Sequence, residues 1–132
     1  MHDVTRDSAV LLNQYVAAWN EPDPGRRRAA VGQLYAEDGR VITPSAEVRG
    51  REAILEHIAE VFAEFIFSSR LSFRRTESTR NHRGLLIRWE LTEDGQPATD
   101  TGINALLLGP DGRIEIDQQF GEPLPVDTGA EE

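Results

Sequence analysis

The sequence of 132 residues predicts an α+β domain in which three N-terminal helices precede a curved antiparallel sheet. Apolar residues recur at helical spacing through the first half of the chain and at alternate positions from Arg70 onward. The second half is divided by "RNHRG", "EDGQP" and "GPDG", which are turn sequences of the kind that join hairpins. A curved sheet with helices across its concave side encloses a pocket, so a ligand site is expected there.

Three amphipathic segments predict the helices. The first extends from about residue 7 to 20 and has one apolar face, formed by Leu12, Tyr15, Val16 and Trp19. Asp23 followed by Pro24 is a good N-cap and first-turn pair, which predicts a second helix from there to about Tyr35. The third helix is expected to begin after Gly50, with an apolar stripe formed by Ile54, Ile58, Val61, Phe62 and Phe65.

Five segments predict strands. "AEDGRVIT" indicates a turn that leads into a short strand, and four longer segments follow it, "LSFRRTEST", "LLIRWEL", "TGINALLL" and "RIEIDQQF". The tight connections between these four predict a meander. The residues from about 123 are rich in Pro, Gly and acid, and we expect an irregular tail there. The chain is too short for two ordinary domains, so residues 1–132 are predicted to form one.

Composition excludes several classes of function. The net charge of −9 repels phosphate backbones, so no nucleic-acid partner is expected. No apolar run is long enough to span a membrane, and the N-terminus lacks the order of a signal peptide. With no cysteine and three dispersed histidines, neither a metal site nor a cofactor is expected, and the default location is the cytoplasm.

Several short strings resemble the nuclear transport factor 2-like superfamily, in particular its ketosteroid isomerase and SnoaL-like branch. They are "YVAAWN", "LYAEDGRVITP", "VRGREAI", "GIN" and "DGRI" leading to "QQFGE", and they extend from about residue 12 to 122. The resemblance implies a cone-shaped, cystatin-like fold whose pocket lies between the helices and the sheet. It implies no single activity, because this fold carries isomerases, cyclases, dehydratases, hydrolases and non-catalytic proteins.

The resemblance assigns roles to individual positions. Tyr15 lies where ketosteroid isomerases place an oxyanion donor, and Asn104 lies where they place a second donor, an aspartic acid. An asparagine amide can donate without a pKa shift, so a Tyr15–Asn104 donor pair is predicted. Phe120 lies where such enzymes hold an aromatic ring against the ligand. Thr43 occupies the position of the catalytic base, and since its hydroxyl cannot shuttle protons, ketosteroid isomerase activity is not expected.

Strand alternation extends the predicted site. If Asn104 faces the pocket, Leu106 and Asp100 share its face, whereas Phe120 facing inward would turn Asp117 and Glu115 outward. The predicted ligand-binding residues are mostly apolar: Val16, Trp19, Thr43, Phe62, Ile87, Trp89, Leu106, Ile116, Gln118 and Phe120. This composition is typical of a site for a small hydrophobic molecule that carries a carbonyl or hydroxyl group.

Two questions stay open at the sequence level. The Tyr15 hydroxyl could serve chemistry or bond only to Tyr35 or water, and a proton shuttle would have to be Asp100 or His57. The function is accordingly either that of an isomerase, cyclase or dehydratase, or that of a non-catalytic ligand-binding or dimerisation module. A homodimer through the outer face of the sheet is expected in both cases, since that face carries Leu86, Ala105 and Leu107.

Overall fold

The computed structural model of the protein describes residues 7–67 and 70–120. Its helices are α1 (Ser8–Asn20), α2 (Pro24–Leu34) and α3 (Arg51–Val61), and α3 continues as a wider π-helical segment, Phe62–Phe67. The three predicted helices are therefore confirmed. Where the sequence specified an end, the observed end lies within one or two residues of it. The predicted irregular tail lies outside the described residues.

Within the described residues, the strands form one curved, unclosed sheet of six. They are β1 (Tyr35–Ile42), β2 (Glu47–Arg49), β3 (Ser72–Asn81), β4 (Gly84–Thr92), β5 (Asp100–Leu108) and β6 (Ile114–Gln119). Their order across the sheet is β2-β1-β6-β5-β4-β3, so the last four strands form the predicted meander. The α+β class is confirmed, but the sheet is not antiparallel throughout, because β1 and β6 run parallel. The three-residue β2 was not predicted, since so short a strand shows no alternation.

Side-chain caps start two of the helices where the sequence indicated. The Asp7 carboxylate accepts hydrogen bonds from the amides of Ala9 and Val10, and that of Asp23 accepts from the amide of Arg26. At the other end of α1, the Asn20 side chain makes two hydrogen bonds of 2.8 Å with the backbone of Phe73. These bonds fix the last turn of α1 against the start of β3, which positions two aromatic residues of the site.

A β-bulge decides which way the side chains of β6 point. Leu107 pairs with Ile116 and Leu108 pairs with Ile114, so Glu115 is an extra residue in β6. Side chains before and after the bulge therefore differ in parity, and both Ile114 and Asp117 are fully buried. The predicted outward orientation of Asp117 is wrong, because it was counted from an inward Phe120, whereas Phe120 is exposed and Asp117 lies on the opposite, buried side of the strand.

The two edges of the sheet are unlike each other. One edge is β2, which has only three residues. The other is β3, which carries Arg74, Arg75, Glu77 and Arg80 and has its own register shift between Arg75 and Glu77. Among the helices of the described residues, none is long and apolar enough to cross a lipid bilayer.

Candidate functional site

A cavity of about 470 Å³ lies between the helices and the inner face of the sheet, within the range of small-molecule sites. Helix α1, α3 with its π-helical continuation, and strands β3 to β5 supply its walls. The apolar lining consists of Val16, Trp19, Val61, Phe65, Phe73, Ile87, Trp89 and Leu91. The walls of the cavity therefore offer apolar contacts to an apolar ligand.

Three aromatic rings form a consecutive wall of this cavity. Phe73 stands between the two tryptophans, with ring centroids 6.3 Å from Trp19 and 5.3 Å from Trp89. The ring planes of each pair are nearly perpendicular, at 85° and 86°. Because α1 carries Trp19 and neighbouring strands carry the other two rings, the wall joins the helical layer to the sheet.

A buried carboxylate lies beneath the floor of the cavity. Asp117 accepts a hydrogen bond of 2.7 Å from the Tyr35 hydroxyl and one of 2.9 Å from the Tyr15 hydroxyl. The Tyr35 oxygen in turn accepts a hydrogen bond of 3.3 Å from the indole nitrogen of Trp19. Tyr15 and Trp19 line the cavity, whereas Asp117 is fully buried and does not. The Tyr15 hydroxyl thus separates the carboxylate from the ligand space.

Two amides complete the floor. The Asn104 amide nitrogen donates to the Tyr15 hydroxyl over 2.7 Å, and its carbonyl oxygen accepts from the Trp89 indole over 3.0 Å. The Gln119 amide nitrogen lies 3.2 Å from Asp117 and 3.4 Å from the Tyr15 oxygen. Within the described residues, no buried side-chain nitrogen or oxygen lacks a partner. The floor is therefore a fixed network, in which one of the two N–H groups of Asn104 is engaged by Tyr15 and its carbonyl oxygen by Trp89.

Burial controls the protonation of this network. It raises the pKa of Asp117 from 3.8 to about 6, against the opposing effect of the hydrogen bonds from Tyr35, Tyr15 and Gln119. Burial, and next the charge of Asp117, raise the pKa of both tyrosines well above the ordinary value. Both hydroxyls therefore stay protonated, and the hydrogen of Tyr15 is directed to Asp117 instead of the cavity.

The ionisable groups that line the cavity directly come from both layers. His57 packs edge-on against Trp19, with ring centroids 5.9 Å apart. Partial burial lowers the pKa of His57, and the nearby Glu60 carboxylate opposes this effect. A neutral imidazole at physiological pH is able to accept a proton. The carboxylates of the lining are exposed, and they are Glu60, Glu64 and Asp100.

The structure divides the sequence-predicted residues into two groups. The cavity lining includes the four predicted catalytic residues, Tyr15, Asn104, Asp100 and His57, together with Val16, Trp19, Thr43, Ile87 and Trp89. The Thr43 hydroxyl accepts a hydrogen bond from the Ala46 amide within its own turn. Phe62 instead lies under the guanidinium of Arg27, 4.9 Å from its ring centroid, and is not part of the lining.

Four other predicted positions are corrected by the fold. Leu106 is buried in the core and does not line the cavity. Ile116, Gln118 and Phe120 border a separate groove on the outer face. Their inward placement was counted from Phe120, which faces outward, and the regular alternation from Ile116 to Phe120 turns the other two outward with it. The same alternation brings Gln119 into the cavity instead.

Sequence reasoning did not place Asp117 and Gln119 in the site, and it considered Tyr35 only as a hydrogen-bond partner of Tyr15. The available signal was an aspartate within the apolar strand segment "IEID", since a carboxylate among buried side chains needs partners. Its direction was misjudged because the alternation was counted from Phe120, which faces outward. In the described part of the chain, no group of three His, Asp or Glu side chains converges as metal ligands.

Comparison with known families agrees with this architecture. The sequence model of the SnoaL-like domain matches residues 12–116, which is most of the chain. The chain belongs to the SnoaL-like domain family. Comparison of this SnoaL-like protein with curated proteins gives no match.

Solved structures similar to this SnoaL-like protein share its fold. A SnoaL-like family member from Agrobacterium tumefaciens, provisionally assigned as an isomerase, is 26% identical with a TM-score of 0.78, over 87% of this chain and 97% of that one. A provisionally assigned polyketide cyclase from Sinorhizobium meliloti is 21% identical, with a TM-score of 0.64 and coverage of 83% and 93%. A protein from Catenulispora acidiphila with a ketosteroid isomerase-like fold, solved with trimethylamine, is 22% identical, with a TM-score of 0.66 and 85% coverage of both chains.

Proposed function

We propose that this SnoaL-like protein binds a small, largely apolar metabolite and catalyses acid–base chemistry beside one of its carbonyl groups, as an isomerase or cyclase does. The observation that carries the proposal is the cavity of about 470 Å³, whose apolar walls lead to a fixed polar floor. Apolar walls with a few placed polar groups are the usual form of a small-molecule site.

The polar groups divide the chemistry between them. The free N–H of Asn104 donates to the carbonyl oxygen of the ligand, and its direction is fixed because Trp89 and Tyr15 hold the rest of the amide. His57 is the better of the two predicted proton shuttles, since it is partly buried and its lowered pKa keeps it neutral, whereas Asp100 is exposed. In this scheme the imidazole removes a proton from the carbon next to the carbonyl and returns it.

The role first predicted for Tyr15 changes in this proposal. Its hydroxyl and the Asn104 amide lie 2.7 Å apart, as a donor pair requires, but the amide donates to the hydroxyl. The hydroxyl hydrogen goes to Asp117. Tyr15 therefore positions Asn104 while Asp117 is ionised, and it becomes a donor to the ligand only when Asp117 carries the proton and reverses that hydrogen bond.

Binding is measured first, through the two tryptophans that line the cavity. We expect a panel of phenols and cyclic ketones to change the fluorescence of Trp19 and Trp89 saturably. Gln119→Leu and Gln118→Leu are a matched pair, since these neighbours face the cavity and the outer groove respectively. Binding is expected to weaken about tenfold in the first variant and to stay at the wild-type value in the second.

Catalysis is measured separately, as exchange of α-hydrogens of the bound ketones with D₂O, followed by NMR. The wild type is expected to accelerate exchange, and His57→Gln to reduce the rate by 10²-fold or more. Ketones that bind without accelerated exchange would favour the alternative function, a non-catalytic binding module. If no compound of the panel binds, the proposed function is wrong.

A further inference from the structure

The fixed charges around the cavity have one sign. Of the described residues that line it, the charged ones are Glu60 and Glu64 on the helical side and Asp100 on the sheet. No arginine is among them, although the chain has 14 basic residues, all of them arginine. Such a lining raises the local concentration of cations and repels anions.

The aromatic wall is suited to a positive charge. Trp19, Phe73 and Trp89 stand at right angles in succession, so rings of different orientation surround the same space. Both indole N–H groups are used elsewhere, one by Tyr35 and the other by Asn104. The ligand therefore meets aromatic surface at this wall instead of indole N–H donors, and aromatic side chains are the ones that attract ammonium groups.

Among the described residues, no cationic side chain pairs with the buried carboxylate. Asp117 is fully buried, and its hydrogen-bond partners Tyr15, Tyr35 and Gln119 are all neutral. None of the ion pairs found among the described residues includes it. A buried carboxylate without a countercharge is unfavourable, and its field extends into the cavity because the surroundings have a low dielectric constant. A cation in the cavity would supply the missing charge.

We propose that the natural ligand is a small organic cation, with its ammonium group in the cavity against the wall formed by Trp19, Phe73 and Trp89 and near the Tyr15 hydroxyl. This inference names the ligand class for the proposed function and rests on it. A positive ligand also makes the proposed chemistry easier, because its charge offsets the negative oxygen that forms beside Asn104 when a proton is removed.

The test compares two probes of the same shape in the wild-type protein. They are 3-hydroxy-N,N,N-trimethylanilinium, which is permanently charged, and 3-tert-butylphenol, its neutral carbon analogue. Isothermal titration calorimetry at pH 7 is expected to give a Kd about tenfold lower for the cation. Transfer from water alone predicts the opposite order. Removing the neutral tert-butyl group from water is favourable, whereas removing the charged trimethylammonium group costs free energy.

The possible outcomes separate the two proposals. Tighter binding of the cation supports both. Equal or tighter binding of the neutral probe overturns the inference and leaves the proposed function standing. If neither probe binds, in a protein whose folding is confirmed by circular dichroism, then both are overturned. Gln119→Leu should weaken both probes and Gln118→Leu neither, which shows that the cavity is the site measured.

The cation preference is expected to shrink from pH 7 to pH 5, because Asp117 then gains its proton. The ionisable groups that face Asp117 are Tyr15 from α1 and Tyr35 from β1, and neither titrates in this range. His57 from α3 lines the same cavity and would also oppose a cation when protonated. A pH-dependent preference that persists in His57→Gln assigns the effect to Asp117, and its loss there would assign it to His57.

Two variants examine the other parts of the inference. Phe73→Leu keeps an apolar side chain but removes the central ring, and is expected to weaken the cation several-fold more than the neutral probe. Glu60→Gln removes a lining charge and should weaken the cation alone, by two- to threefold given solvent screening. Glu37→Gln removes an equal charge outside the cavity and is expected to have no effect, so equal effects of the two would contradict the inference.

Discussion

Tyr15 has a single hydroxyl hydrogen, and the network assigns it to Asp117. This assignment follows from the neighbours of the hydroxyl. Asn104 and Gln119 contribute amide nitrogens, which can only donate, whereas Asp117 contributes a carboxylate oxygen, which accepts. One proton on Asp117 would reverse the hydrogen bond and turn the Tyr15 hydrogen toward the ligand. The hydrogen-bonding character of the floor therefore depends on the charge of a group that the ligand does not touch.

The pH dependence of stability tests the protonation of Asp117. Its pKa is about 6 in the folded protein against an ordinary 3.8, so the folded state binds this proton more tightly than the unfolded chain. The resulting stabilisation is complete below about pH 4 and is lost as pH rises through 6. Relative to Asp117→Asn, the free energy of unfolding of the wild type should rise by about 2 kcal/mol from pH 7 to pH 4, measured by urea denaturation.

The comparison with Asp117→Asn removes the contribution of His57. Because burial lowers the pKa of His57, its contribution to stability is complete above its ordinary 6.5 and lost on acidification, but it is common to both proteins. Glu37→Gln is the charge-matched control at an exposed site and should follow the wild type. A difference between wild type and Asp117→Asn that stays constant from pH 4 to pH 7 would show that Asp117 titrates normally.

At the residue scale, the sequence allowed half of the site to be predicted. Tyr15 and Asn104 line the cavity, as the family resemblance implied, and His57 lines it, as its position on α3 indicated. Asp117 and Gln119 were misplaced because the alternation was counted from Phe120, which faces outward, and the extra residue Glu115 makes a count from Ile114 fail as well. Such an insertion changes no composition and leaves the apolar pattern ambiguous.

At the scale of elements, the pairing of β1 with β6 depends on a close backbone approach. A Cβ atom at Gly39 would lie 3.0 Å from the carbonyl oxygen of Ile114 and 3.1 Å from that of Ala36. The register of the two strands also shifts here, between Tyr35 and Arg40. A larger residue has little room at this position, because both neighbouring oxygens belong to the backbone and cannot rotate away.

Two glycine-to-alanine substitutions are expected to have effects of opposite sign. Gly39→Ala should lower the free energy of unfolding by roughly 1–3 kcal/mol, since it forces the two strands apart. Gly32→Ala lies within α2 with no atom near the new methyl group, and it should stabilise by up to about 1 kcal/mol through helix propensity. Denaturation followed by circular dichroism measures both, and effects of the same sign would contradict the proposed role of Gly39.

The helices could be predicted because local sequence patterns mark the residues at which they begin. The aspartates before α1 and α2 cap them, and the apolar stripes identify their buried faces. The parallel pairing of β1 with β6 was not predictable, since it joins strands from opposite ends of the domain. Local patterns specify hairpins, but they contain no information on which distant strand closes the sheet.

At the scale of the whole molecule, the outer face of the sheet has an apolar groove of its own. Leu86, Leu107 and Phe120 are each more than two-fifths exposed there. The groove also includes Ala105 and has a volume of about 470 Å³. We propose that two copies of the chain pair through this face, because contact between the two copies would remove these exposed apolar side chains from water.

Sedimentation velocity tests the dimer. The wild type is expected to sediment as a dimer at micromolar concentration, and Leu107→Glu should raise the dimer Kd at least tenfold by placing a charge in the groove. Val10→Glu adds the same charge at an equally exposed apolar position on α1 and should leave the dimer intact. A monomeric wild type, or equal effects of both substitutions, would contradict pairing through this face.

The unlike edges of the open sheet have a consequence for crowded solutions. An unpaired strand is a template on which a neighbouring molecule can add a strand of its own, the first step toward filaments. Here one edge strand, β2, has only three residues. The other edge strand, β3, carries arginines and a glutamate and is interrupted by a register shift. Neither edge presents the long, flat, uncharged ladder that an incoming strand needs. The six-stranded sheet of the described residues is therefore poorly suited to add a seventh strand from a neighbouring molecule at either edge.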